Sequence, residues 1–251
     1  MALTKDRVMT QHLGIITAYG AVAILAWLVA LLYPRLIPTS ATYVVERRWQ
    51  QIGLLVLSTA LAVGIAWLQG QGWKFGGDGP LAFSLNRLAI VSPILLFLAS
   101  RRSRAAILIP DKHILRSLLI GVGFALIGLS AYFSSATTRV DPAVMMATVQ
   151  PAPVVEIAVR TLLNCLVLAI FLTVLVGAWS VRTTLSIAAL AIAATQVPSL
   201  LQGGFSTDWI GSLVVHVALV VGLLSAVLAT RNIVWLWPVL AVLNLLQFSL
   251  A

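Results

Sequence analysis

Long apolar runs separated by short polar breaks dominate the chain. A helix needs about 20 consecutive apolar residues to span a bilayer. The pattern predicts eight such spans, over 12–33, 50–69, 80–100, 114–134, 152–179, 183–200, 209–229 and 232–250. Asn86 and Arg87 interrupt the third span. Arg87 is predicted either to face the bundle interior or, the preferred reading, to snorkel to an interface. Between the first two spans, Tyr43, Val44, Val45 and Trp49 lie beside Glu46, Arg47 and Arg48, which fits a short interfacial helix over 39–51. The breaks carry turn chemistry in Gly76-Gly77-Asp78-Gly79-Pro80, Asp141-Pro142 and Gly203-Gly204. Pro153 suits the first turn of a helix, where its missing N–H is no loss, and Pro198 ends or kinks span six. The first apolar run is too long for a signal-peptide core and is read as a mature helix. The fold class expected is all-α, one polytopic transmembrane domain over 1–251, because no polar segment is long enough for a soluble domain.

Composition sharpens this reading. The 251 residues are 61% hydrophobic and 9% charged, against roughly 25% charged in a soluble domain. The net charge of +9 does not mark a nucleic-acid binder, because the cations sit at helix ends and not on a soluble face interleaved with aromatics. Their expected partners are membrane lipids, with Arg101, Arg102, Arg104, Lys112 and Arg116 meeting anionic head groups. Arg35, Arg47, Arg48, Arg182 and Arg231 join that cluster in the odd-numbered connections, whereas the termini and even-numbered connections carry only Lys5, Arg7, Lys74 and Arg139. The positive-inside bias then puts both termini on the non-cytoplasmic side. The location expected is a bacterial inner (plasma) membrane. Most of the tryptophans lie near span ends, as an aromatic belt requires. Trp235-Leu236-Trp237-Pro238 is expected to form a bulky outer flank on span eight, and Gly121, Gly123 and Gly128 to permit close helix approach on span four.

Candidate chemistry is sparse. Glu156 is the one acid inside a predicted span, and Arg160 and Asn164 follow it at steps of four on the same helix face. The Glu-to-Arg order at this spacing is the favourable one, and Glu156 sits in the first turn, where the helix dipole favours negative charge. Both effects suit a structural pair better than a general base, which needs a raised pKa and a free lone pair. His216 stands alone in span seven; it either bonds to a neighbouring helix or ligates a metal, a pigment or a haem. His12 and His113 fall at membrane edges. No histidine pair stands at a helical metal spacing and no Cys or carboxylate cluster supplies further ligands, so no metal and no cofactor beyond bound lipid is expected. Cys165 reads as a small packing residue, while Gln196 and Gln202 either bond to facing helices or line a cavity.

The last four spans, over 152–250, resemble the CAAX-protease and bacteriocin-processing (CPBP or Abi) family of intramembrane endopeptidases. Its pattern is Glu-Glu-x-x-x-Arg on one helix, Phe-x-x-x-His on the next and His-x-x-x-Asn on the last. These fall on Val155-Glu156-Ile157-Ala158-Val159-Arg160, Ile192-Ala193-Ala194-Thr195-Gln196 and Leu240-Ala241-Val242-Leu243-Asn244. The resemblance implies an eight-helix bundle. In the family, paired glutamates and two histidines activate a water against a peptide bond. Here Val155 stands for the first glutamate, Gln196 for the first histidine and Leu240 for the second, while Glu156, Arg160 and Asn244 are kept. Glutamine takes up no proton at neutral pH and leucine forms no hydrogen bond. The expected function is therefore non-catalytic: a scaffold, regulatory or accessory subunit that meets other integral membrane proteins. Two alternatives stay open, a divergent endopeptidase using Glu156 and a pigment- or lipid-binding accessory using His216.

Overall fold

The computed structural model describes residues 2–40, 48–76, 80–100, 108–110, 112–135, 151–195 and 207–250. Among the described residues eight helices follow in order: α1 Ala2–Leu32, α2 Arg48–Gly70, α3 Pro80–Ser100, α4 Ile114–Ser135, α5 Pro151–Ala178, α6 Val181–Thr195, α7 Thr207–Thr230 and α8 Leu236–Leu250. No strand occurs among the described residues. Among the described residues five helices are long and apolar enough to cross a membrane, over Leu13–Leu32, Trp49–Gly70, Ile114–Ser135, Pro153–Ala178 and Leu213–Thr230. The apolar stretches of α3, α6 and α8 are shorter. The chain is an all-α, multi-pass membrane protein. The expected interfacial helix, the Asp141-Pro142 and Gly203-Gly204 turns and Pro198 fall largely or wholly outside the described residues.

Local chemistry sets the helix ends. α2 closes in a Schellman turn: Gly72 takes φ 97°, the Gly72 N–H donates to Gln69 O and the Trp73 N–H to Leu68 O. Ser180 caps α6, its hydroxyl oxygen accepting the Thr183 N–H at 3.2 Å. α7 ends in the same Schellman pattern as α2, with Arg231 N–H donating to Leu228 O and Asn232 N–H to Val227 O. Here the left-handed position belongs to Arg231, at φ 48°, where glycine is usual. That turn delays α8 to Leu236, and Pro238 falls harmlessly in its first turn.

Packing divides the helices into two groups. α1 lies against α4 and α7, α8 against α4, and α6 against α7. α2 and α3 pair with each other and with α5, which also meets α8 and so joins the groups. The larger core collects Val22, Ala26, Phe124, Tyr132, Leu224 and Trp235 among others, while the smaller holds Leu55, Ala62, Ile94, Ile170 and Val174.

The Trp235 stretch corrects an expectation. Trp235 is fully buried and Leu236 nearly so, so they form no outer flank. Space for them comes from Gly121, where a Cβ would collide with the Trp235 carbonyl oxygen and Cα, and the Phe124 ring meets the indole edge-on at 5.3 Å. Gly128 likewise admits Val22 and the Ala18 carbonyl. Gly123 faces open space and brings no helix closer. Trp27 also departs from the belt: its indole N–H donates to Ser225 Oγ of α7 at 2.8 Å. Trp49, Trp67 and Trp73 are exposed, as anchors should be.

Candidate functional site

α5 carries the polar residues singled out by sequence. Glu156 and Arg160 are both half-buried on it, one turn apart. Among the described residues no ion pair within 4.0 Å joins them. Asn164, one turn further on, is exposed. Arg87 of α3 reaches it, an Nη2 N–H donating to Asn164 Oδ1 at 3.4 Å. Of the two placements open to Arg87, the structure turns its half-buried side chain toward α5. Asn86 positions this part of α3. Its side chain pairs with the backbone of Phe75 as another peptide group would, accepting the Phe75 N–H at 2.8 Å and donating to Phe75 O at 3.2 Å. Gln69 of α2 donates to Asn86 O at 2.9 Å, so the α2–α3 connection is latched onto the helix that bears Arg87.

Asn244 sits on another side of α5. Its Nδ2 donates to Thr161 Oγ1 at 3.4 Å, and the buried Thr161 hydroxyl donates back to Ile157 O at 2.6 Å. Nearby the Trp237 indole N–H donates to Ala158 O at 3.0 Å. α8 is therefore hydrogen-bonded to α5 through Trp237 and Asn244, and neither contact involves Glu156 or Arg160 directly. Leu240 is half-buried against the larger core. Gln196, Gln202, Arg101, Arg102 and Arg104 lie outside the described residues. His216 is exposed on α7, and Cys165 is a buried free thiol. Among the described residues no three His, Cys, Asp or Glu side chains converge as a metal-holding group. The α5 face offers a carboxylate, two guanidiniums and an amide, groups that form hydrogen bonds and ion pairs.

A second polar centre was not singled out by the sequence. Asn232, fully buried in the α7–α8 turn, donates through Nδ2 to Pro38 O at 2.7 Å and to Ser117 Oγ at 2.8 Å. Its Oδ1 accepts the Val234 N–H at 2.8 Å. The Ile233 N–H donates to Leu108 O at 2.8 Å. Ser40 donates twice to Arg231 O, from its N–H at 3.2 Å and its hydroxyl at 2.8 Å. The Trp235 indole N–H donates to Thr230 Oγ1 at 3.1 Å, and that hydroxyl donates back into α7 at Ala226 O. One turn thus ties together the segments after α1, before α4 and between α7 and α8. The signal available in the sequence was a polar Thr230-Arg231-Asn232 group between two apolar runs, which marks a break but not its partners.

No protein-family model, curated protein or solved structure matches the chain.

Proposed function

We propose that the chain is a non-catalytic membrane protein, an eight-span bundle with a degenerate CPBP/Abi-type core over 152–250, serving as a scaffold or accessory subunit of a membrane complex. The observation that carries this reading is Arg87 holding the exposed Asn164, with Arg160 one turn away on the same helix. Ionisable and amide groups on apolar helices are covered by polar partners, and side-chain hydrogen bonds across helices serve as their glue. The α3–α5 face is accordingly where a neighbouring membrane protein docks. Replacement of the family's histidines by Gln196 and Leu240 removes its proton-transfer groups, which supports binding over hydrolysis.

Purification of the intact protein in mild detergent tests this. The expected result is one companion membrane protein in fixed stoichiometry, lost in Asn164→Leu and Arg87→Leu and kept in Val214→Asn, a change on the exposed face of α7. Recovery as a lone chain overturns the reading. Cleavage of a prenylated peptide by the purified protein, abolished in Glu156→Gln, establishes the divergent endopeptidase instead.

A further inference from the structure

Four exposed cations gather around the buried Asn232 turn: Arg35, Lys112, Arg116 and Arg231. Hydrogen bonds bring the Arg35 and Arg231 backbone and Arg116 to this turn, and Lys112 lies two residues before α4 begins. Arg116 donates from Nη2 to Arg35 O at 3.3 Å, the neighbouring Ser117 accepts from Asn232, and Arg231 O accepts from Ser40. Asp111 is the only acid between Arg101 and Arg116 in the sequence, so that stretch is strongly positive.

Two features separate this rim from a scatter of surface charge. First, Arg231 occupies the left-handed position of a helix-ending turn. Glycine meets that conformation without the steric penalty of a Cβ, so an arginine there gives up backbone stability and gains a cation at the rim. Second, the rim stands at the top of an apolar track. Leu115, Leu119, Val122 and Leu126 are all exposed, and their spacing puts them in one row down α4. Arg116 therefore sets a charged fork beside the upper end of a hydrocarbon-facing stripe. Its guanidinium is already held by the Arg35 carbonyl, which limits the entropy lost when its remaining N–H groups engage a phosphate.

The geometry points to a binding site for an anionic glycerophospholipid, its phosphate held by Arg116, Arg35, Lys112 and Arg231 and an acyl chain lying along the α4 row. The site is independent of the α3–α5 face. An acidic protein segment matches the charge but not the adjoining apolar track.

Native mass spectrometry of the delipidated full chain tests it, with phosphatidylglycerol against phosphatidylcholine of the same acyl chains and inorganic phosphate as competitor. Phosphatidylglycerol is expected to be retained preferentially. Arg116→Gln and Arg231→Gly are each expected to reduce retention about fivefold, as one cation near an anionic head group contributes. Lys74→Gln, at an exposed cation in the α2–α3 connection, leaves retention unchanged. Arg231→Gly is the decisive variant, because it relaxes the backbone and so unfolds at the same or a higher temperature while losing lipid. Unchanged retention in Arg231→Gly overturns the proposal, as does equal retention of the two lipids or an equal loss in Lys74→Gln. Displacement of the lipid by equimolar inorganic phosphate overturns it in favour of a free-phosphate site.

Discussion

The α1–α4–α7–α8 group and the α2–α3–α5 group use polar residues in opposite ways. In the first, Asn232, Ser117, Thr230 and Ser40 are buried and each is hydrogen-bonded. In the second, Asn86 and Arg87 are half-buried, Asn164 is exposed, and the hydrophobic core is small. α2 in particular leaves Val56, Leu57, Leu61, Val63 and Trp67 uncovered. A satisfied polar group inside a low-dielectric core fixes one arrangement of the chain, because leaving it unpaired is so unfavourable. The polar groups of the second group are hydrogen-bonded too, but Asn164, held by Arg87, stays exposed and accessible to a further partner. The first group is therefore the frame, and the second is the one that leaves polar groups accessible.

That contrast can be broken by substitution. Asn232→Leu has the largest expected effect: Val234 N–H and Pro38 O lose their partner and Ser117 Oγ keeps only its bond to His113 O, a loss of about 4 kcal/mol at roughly 1–3 kcal/mol per orphaned group. Denaturant unfolding in mixed micelles measures it. Gly121→Ala drives a Cβ into the Trp235 backbone and is expected to cost about 2–3 kcal/mol by overpacking. Gly123→Ala, two residues away in open space, is expected to be neutral or to gain up to about 1 kcal/mol of helix propensity in the same assay. Asn86→Ala frees the Phe75 backbone at about 1 kcal/mol, and faster hydrogen exchange of the Phe75 amide reports it. Thr173→Val is the smallest, within about 0.5 kcal/mol of zero or slightly stabilising, because the buried Thr173 hydroxyl has no hydrogen-bond partner and an apolar isostere removes an unsatisfied group.

Hydropathy made most of the helices legible. The predicted spans 50–69, 80–100 and 114–134 fall on α2, α3 and α4 with ends moved by at most a few residues, since run length in an apolar chain is a local property. Long-range contacts were not legible. Span eight was placed from 232, whereas α8 starts at Leu236 because Asn232 is committed to Pro38 and Ser117. Trp235 was expected on a bulky outer flank of span eight; only the notch at Gly121, far away in sequence, makes room for it inside. The α5 face was visible from the four-residue spacing of Glu156, Arg160 and Asn164, but Arg87 reaches that face from α3 across a gap no periodicity reports.

The Asn232 turn also dictates an order of events during biogenesis. A ribosome makes Pro38 first, Ser117 well after it and Asn232 last, so the early hairpins enter the bilayer with their eventual carbonyl and hydroxyl partners still unmatched. α1 to α7 are made before the frame locks. A nascent chain released before Asn232 is made lacks this clasp between Pro38 and Ser117.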